Sequence, residues 1–435
     1  MIWILLLICI FIIFIDKKKI VPVYLISSMW INFDIRCGSI SFIGALSIFI
    51  IILGLFTRRK NLGFKTKTDR LIIDYCLYAI LIYLPFIFLS TDLSLWIQLN
   101  NIKSQFLFII LLIVVWKWNP CKTSILNAQA RSINLSTILL CIYGVYTYIT
   151  MTNPYMDFMS QYSTAEDLSD LLARSMEDSR GNLHGRITGT SLYTIQYGIM
   201  LVILLFMLLS INIRRNIITY ITFVLILLNI YLTGSRGPLG ALLIGLLFYI
   251  SRILNWKKRI MYVSLSVILI FIVWSYIESY LTLFTDQNVK GSSFELREIQ
   301  FAGALSMVTD NMQSLLFGRG IGYTSYYIAR YGAHPLALYF ESTHVSGIVN
   351  YGVLGLIFIF LGKIIFLLYI AIKARRNNLI DNESFNLLLS FLLTYFIYNI
   401  LVGSVYDSFF VFSYFISLKI GIQKYNIRTS KSLVL

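Results

Sequence analysis

The chain is predicted to fold as an all-α, polytopic integral membrane helix bundle. Three observations carry that prediction. Apolar runs of membrane-spanning length recur from one end of the sequence to the other. Hydrophobic residues make up 58% of the chain and charged residues only 13%, with a mean hydropathy of +0.78. The basic residues gather in short stretches between the apolar runs. A hydrocarbon core about 30 Å thick takes about 20 apolar residues in a helix. Inside it every backbone polar group is paired within the protein. Continuous runs such as 106–116 and 267–274 therefore read as helices, not as the alternating strands of a barrel.

The spans are expected at 2–15, 20–33, 39–56, 71–89, 102–116, 134–151, 190–209, 217–232, 239–251, 260–277, 346–372, 385–401 and 408–422. The first two are short for full spans, so about 12 or 13 transmembrane helices are predicted. Run 2–15 lacks a basic leader and a small-residue cleavage site, and reads as a first span. Basic stretches at 17–19, 58–70, 117–131, 214–215, 252–259, 373–376 and from 419 onward belong on the cytoplasmic side by the positive-inside rule. Two long polar segments, 152–189 and 278–345, then face outward, with a short outer turn at 233–238 and a cytoplasmic C-terminus. The organisation is thus N-terminal spans (1–151), a first outer loop (152–189), central spans (190–277), a second outer loop (278–345), and C-terminal spans with a tail (346–435). The formal charge of +16 follows from this topology and implies no nucleic acid.

The sequence carries no nucleotide-binding phosphate loop, metalloprotease helix or nucleophile elbow. Its five cysteines and three histidines show no ligand spacing, and no carboxylate cluster is evident, so neither metal nor cofactor is implied. The histidines, His184, His334 and His344, all fall in the outer segments, as do Arg174, Arg180, Arg186, Arg297, Arg319 and Arg330. Arg236 sits in Thr233-Gly-Ser-Arg-Gly-Pro238, a turn too short to leave the membrane surface. A guanidinium there suits phosphate, as a flat fork of donors; snorkelling to lipid headgroups is the alternative. Arg186 follows His184 just before a span. Arg297 precedes the pattern Phe301, Leu305, Val308, which reads as a surface helix. Arg319 lies in Leu316-Phe-Gly-Arg-Gly-Ile-Gly322, whose glycines permit tight turns and close approach to an anion. Glu341 and His344 share a face if helical and suit a general base; Glu341 and Ser342 equally suit a helix start.

The order of these pieces resembles the O-antigen polymerase and O-antigen ligase superfamily, membrane glycosyltransferases of bacterial surface polysaccharide assembly that include the Wzy-like polymerases. The resemblance runs from about Gly181 to Leu361. It takes in Arg186-Ile-Thr-Gly189, Thr233-Gly-Ser-Arg-Gly237, Arg297, Phe317-Gly-Arg-Gly-Ile-Gly322 and Glu341-Ser-Thr-His-Val-Ser-Gly-Ile-Val-Asn-Tyr-Gly-Val-Leu-Gly355. The first 150 residues resemble the family only as hydrophobic spans. Ligases usually place a His-Asn pair about eleven residues before the glycine matching Gly352. Here Glu341-Ser342 stand there, with His344 three residues on, which looks more like a polymerase.

The resemblance implies a donor glycan and an acceptor repeat unit, both on undecaprenyl pyrophosphate, joined without metal at the outer face of the inner (cytoplasmic) membrane. Glu341 or His344 would take the acceptor proton. Arg236 and Arg297 would stabilise the leaving pyrophosphate, and Arg186 and Arg319 would hold substrate phosphate. Membrane lipids and a polysaccharide chain-length regulator are the further partners it implies. Tyr323, Tyr326, Tyr327, Tyr331 and Tyr339 either stack on sugars or form an interfacial aromatic belt. The alternatives are ligation of glycan to lipid A core or protein, and a lipid-linked oligosaccharide flippase or other transporter. Transporters work through polar residues at mid-membrane depth, of which Asp74 is the clearest here.

Overall fold

The computed structural model describes residues 1–31, 35–37, 40–57, 66–90, 92–118, 123–162, 186–191, 193–211, 217–253, 293–340, 342–401 and 406–432. They form a helix bundle of the membrane type. Five helical stretches are long and apolar enough to cross a bilayer: Lys67–Leu89, Leu95–Lys117, Gln129–Thr150, Thr194–Ile211 and Thr343–Arg376. Ile2–Ile15, Phe42–Phe56 and Ile217–Leu232 are shorter apolar helices. The expected span at 260–277 lies outside the described residues. The strands described are Arg36–Cys37 and Ile40–Ser41, which pair antiparallel.

A helix that is apolar all round is either enclosed or lipid-facing, and both kinds occur. Thr194–Ile211 is buried along almost its whole length at the bundle centre. Ile2–Ile15 exposes Trp3, Leu7, Phe11 and Phe14. Where helices approach most closely a glycine makes room, as Gly245 does against Thr394. Among the described residues several charges in the bundle are paired, as an apolar medium favours. Lys117 meets Asp69 at 2.7 Å, Lys373 meets Asp74 at 2.6 Å, and Lys363 meets Asp407, which also accepts the Tyr395 hydroxyl at 2.7 Å.

The second long polar segment is helical from residue 293 onward. Ser293–Ser306, Met312–Phe317, Tyr323–Tyr331 and the start of Thr343–Gly355 form a cap with its own core. Ala304, Val308, Ala337, Phe340, Val345, Ile348 and Val349 fill that core. The helix expected around Phe301 and Leu305 is present as Ser293–Ser306, while Val308 lies beyond its end in the cap core.

The span expected at 346–372 begins later, because the chain reverses at Gly352, whose φ is +66°. His344 and Phe360 would stand about 24 Å apart on one straight helix; their ring centroids are 4.9 Å apart. Residues 343–351 therefore belong to the cap, and the membrane stretch runs from 353 to Arg376. It includes a π-helical turn at Leu356–Leu361, where the Tyr78 hydroxyl donates to Phe358 O at 2.6 Å.

A Cβ at Gly352 would lie 2.5 Å from the carbonyl carbon and oxygen of Leu316. Gly352→Ala adds that clash to left-handed strain of about 1–3 kcal/mol. It is expected to lower the melting temperature in detergent well beyond Gly332→Ala, where φ is +77° but the space is open. Equal melting shifts would refute the backbone contact.

Candidate active site

The segment 186–191 is buried and tied on every side. Thr190 Oγ1 donates to Met29 O at 2.6 Å, and Asn153 Nδ2 donates to Thr188 Oγ1 at 2.8 Å and Gly189 O at 2.9 Å. Gly189, at φ +53°, leaves no room for a Cβ beside the Tyr197 ring. Arg186 is only 5% exposed. Its Nε donates to Thr233 O at 2.8 Å and its Nη2 to Ser235 Oγ at 2.9 Å. This guanidinium thus braces the 233–235 turn from within.

The braced turn ends the helix Ile217–Leu232 and starts the helix Arg236–Ile253. Gly234 takes the left-handed conformation, φ +57°, that commonly closes a helix. Thr233 Oγ1 accepts from Ser235 N at 3.2 Å and donates to Ile230 O at 2.7 Å. Arg236 follows at the first position of its helix, where the dipole is positive and free amides favour an anion.

The helix Arg236–Ile253 runs antiparallel to Asn382–Leu401, with Tyr249 near Leu387 and Gly245 against Thr394. The same helical rise puts Arg236 level with the Leu401 end. At that end His344 is docked. Its Nε2 bonds Asn399 O, one of the last carbonyls of a helix, which lacks a partner within its own helix. A carbonyl only accepts, so Nε2 carries a proton, and in the neutral ring the lone pair is on Nδ1. The Asn399 amide oxygen is buried and makes no hydrogen bond among the described residues. The helix carrying His344 starts at Thr343, capped by Ser342 Oγ, which accepts from His344 N at 3.3 Å. Glu341 lies outside the described residues, as does His184. Arg297 lies on the cap helix Ser293–Ser306; its side chain is outside the described set.

The glycine-rich turn is occupied by the protein itself. The amides of Arg319, Gly320 and Ile321 donate to Val349 O (2.8 Å), Asn350 O (3.3 Å) and Gln98 Oε1 (3.3 Å). The Thr324 amide donates to Asn350 Oδ1 at 3.0 Å. Gly318, Gly320 and Gly322 all have positive φ, and each faces a close neighbour. These glycines serve close backbone packing, which differs from the expected approach to an anion. Arg319 donates to Met307 O, to Asp92 at 2.6 Å and to Asp310. Burial alone would lower its pKa; the bonds to Asp92 and Asp310 outweigh that and raise it. Arg319 is a clasp between the cap and the segment entering Leu95–Trp118.

Sequence reasoning missed Asn399, the two aspartates on Arg319 and the Lys363–Asp407 pair. Asn399 stands out only as an amide near the end of an apolar run. The ion pairs join residues 9, 44 and 227 positions apart, none of them at a helical i, i+3 or i+4 spacing.

An open apolar groove of ≈ 780 Å³ runs beside these elements, lined by Leu77, Leu81, Phe86, Leu354, Phe358 and Phe366. The Lys373–Asp74 pair marks one end and Phe317, beside the glycine-rich turn, also lines it. No group of residues that could hold a metal ion occurs among the described residues.

Residues 221–360 match the family model described as O-antigen ligase. The match spans the Arg236 turn, Arg297, the glycine-rich turn and His344. No curated protein matches the chain.

Removing Arg186 leaves buried Thr233 O with only the long 3.4 Å bond from Ser235 Oγ, a loss of about 1–3 kcal/mol. Arg186→Met is expected to lower the melting temperature and to open the 233–235 turn to hydrogen exchange, with the cap unaffected. Unchanged exchange at that turn would dismiss the brace. A pH dependence belongs to the cap. Burial holds His334 below its ordinary pKa, and its Nδ1 accepts from the amides of Ala337 (2.9 Å) and Leu336 (3.2 Å). A depressed folded value means this contribution is full above the unfolded histidine value of about 6.5. It is lost as pH falls through the lower folded value. Protection factors of the 334–340 amides, corrected for the intrinsic pH dependence of exchange, should fall between about pH 7.5 and 5 in the wild type and lose that fall in His334→Ala.

Proposed function

The chain belongs to the O-antigen polymerase/O-antigen ligase superfamily, and from that premise we propose that it polymerises lipid-linked oligosaccharide repeat units. The substrates are repeat units on undecaprenyl pyrophosphate, and the product is O-antigen or capsular polysaccharide. The reaction is set at the outer face of the cytoplasmic membrane, with the cap outward and the C-terminus inside. Members of the superfamily are glycosyltransferase-like enzymes; the donor and the polymer are the proposal.

One observation carries it: Arg236 starts a helix on a turn braced from inside by Arg186, level with the helix end that holds His344. In glycosyl transfer the acceptor hydroxyl attacks the anomeric carbon, the bond to the pyrophosphate oxygen breaks, and negative charge grows on the leaving phosphate. A fixed guanidinium at a helix N-terminus stabilises that charge without reorganising. Arg297 is the second cation assigned to it. Arg186 acts through the turn as a positioning residue, and the Arg319 clasp holds the cap in place. His344, with Nδ1 unprotonated, takes the acceptor proton; Glu341 is the alternative base. The apolar groove is wide enough for the carrier's hydrocarbon tail.

A second reading, ligation of finished glycan to lipid A core or protein, has one observation in its favour: the matched family model is described as O-antigen ligase. Transport has less support, since Asp74 is neutralised by Lys373 rather than open to a passing solute.

Arg236→Ala is expected to cut polymer formation by roughly 10²–10³-fold at normal membrane levels, the loss typical of one oxyanion-stabilising donor. Gels of surface and lipid-linked glycan check it. Single repeat units on the carrier support polymerisation, long polymer stranded on the carrier supports ligation, and a wild-type ladder removes Arg236 from the chemistry.

A further inference from the structure

On the cap helix Tyr323–Tyr331, the residues Tyr323, Tyr326, Tyr327, Arg330 and Tyr331 fall at i, i+3, i+4, i+7 and i+8, one face of an α-helix. Buried Thr324 and half-buried Ile328, with the inner sides of Tyr323 and Tyr327, anchor the helix to the cap core, so the open part of the face is Tyr326, Arg330 and Tyr331. The rings form a continuous row. Tyr323 stands 6.3 Å from Tyr326 and 6.4 Å from Tyr327; Tyr327 stands 5.1 Å from Tyr331 and 5.7 Å from His334, centroid to centroid. Cations are set along the row. The Arg319 guanidinium carbon lies 5.7 Å from the Tyr323 centroid, and that of Arg330 lies 6.0 Å from Tyr326 and 5.5 Å from Tyr331. Arg330 donates to the Tyr326 hydroxyl at 2.6 Å and pairs with no carboxylate among the described residues. The far end is open: Tyr331 and, on the next turn, Tyr339 are each 61% exposed.

The chemistry of this face is mixed in a specific way. Ring faces offer flat apolar area of negative potential, which suits the C–H face of a sugar ring. Phenol and guanidinium groups at the ring edges supply donors for hydroxyls and carboxylates. Lipid tails have no use for the guanidinium, and a bare phosphate has no use for the rings; a headgroup layer takes both and is the alternative that a spin label tests. A nine-residue helix presents this surface over about 13 Å, enough for an extended ligand rather than an ion.

We propose that the Tyr323–Tyr331 face is a carbohydrate-binding track that holds the glycan chain beside the transfer site, with a preference for acidic sugars because Arg330 brings a positive charge that pairs with no carboxylate among the described residues. The identity of that glycan as the enzyme's own polymer rests on the proposed function; the recognition itself rests on the face.

The test uses the full chain in lipid nanodiscs and the surface polysaccharide of the same cells, freed of lipid. Calorimetric titration should show binding to the wild type. The double variant Tyr326→Ala/Tyr331→Ala should bind at least tenfold more weakly, and Tyr326→Phe/Tyr331→Phe should retain binding because the rings remain. Wild-type melting of the alanine variant keeps a loss of binding from being a loss of fold. No binding by the wild type, or equal binding by the alanine variant, overturns the proposal. A spin label at Ala329→Cys, in a background free of native cysteines, tests the membrane-belt alternative. Greater access to water-soluble nickel chelate supports the track, and greater access to lipid-dissolved oxygen overturns it. Binding is measured without turnover. Arg236→Ala protein that binds but does not transfer leaves the track standing, and one that binds and still transfers refutes only the catalytic assignment.

Discussion

The backbone contact between Gly352 and the Leu316–Gly318 turn is the constraint on which the functional end of the molecule depends. A side chain at Gly352 would strike the Leu316 carbonyl, and one at Gly318 would strike the backbone of Asn350 and Tyr351. Two chain segments meet there with no side chain between them, and φ at both positions is one that glycine adopts freely. The reversal this permits separates a run of helical sequence into two parts with different tasks. Residues before Gly352 build the cap core and carry His344 to the end of Asn382–Leu401. Residues after it enter the membrane bundle, and Phe360 returns beneath the His344 ring. With a straight helix at this point, His344 would stand clear of the bundle and Asn399 O would have no imidazole to accept from.

Arginine fills three roles in one small region, and burial and partners distinguish them. Arg186 is enclosed and gives two nitrogens to the turn carrying Arg236. Arg319 is held by two carboxylates and a carbonyl, and joins the cap to the N-terminal half. Arg236 opens a helix, where backbone dipole and guanidinium charge act in the same direction. A cation with slack in its side chain would have to be gathered and oriented at each turnover. A cation on a braced turn is already in place, which is the condition for electrostatic catalysis in a water-poor site. Away from the cap, Lys363–Asp407 and Lys373–Asp74 are ion pairs, the second at the end of the open groove. The proposed chemistry is therefore assigned to the cap end, and the pairs to holding helices together.

The helical, membrane character of the chain was legible because apolar runs are long and charges sparse, and both signals are local. A helix around Phe301 and Leu305 was legible for the same reason, although it ends before Val308. The break at Gly352 was not. Gly347, Gly352, Gly355 and Gly362 look alike in the sequence, and only the distant Leu316 carbonyl singles one out. The arginines were legible as a set, since basic residues in polar outer segments are unusual. Their division of labour was not, because Asp92 lies 227 positions from Arg319 and Ser235 lies 49 from Arg186. The glycine-rich turn shows how local reasoning misleads. Alternating glycines fit an anion cradle and a backbone crossing equally well, and Asn350 and Gln98 decide for the crossing.

The account stands on Arg236 and His344 sharing the outward face of the membrane. Labelling of single cysteines with a membrane-impermeant maleimide in intact cells tests this directly, in a background free of native cysteines. Gly237→Cys and Ser342→Cys sit next to the two residues without replacing them, and Asn377→Cys marks the opposite end beside Arg376. The account requires labelling at 237 and 342 before permeabilisation and at 377 only after it. Labelling of 237 and 342 from opposite sides, or of both only from within, would contradict it.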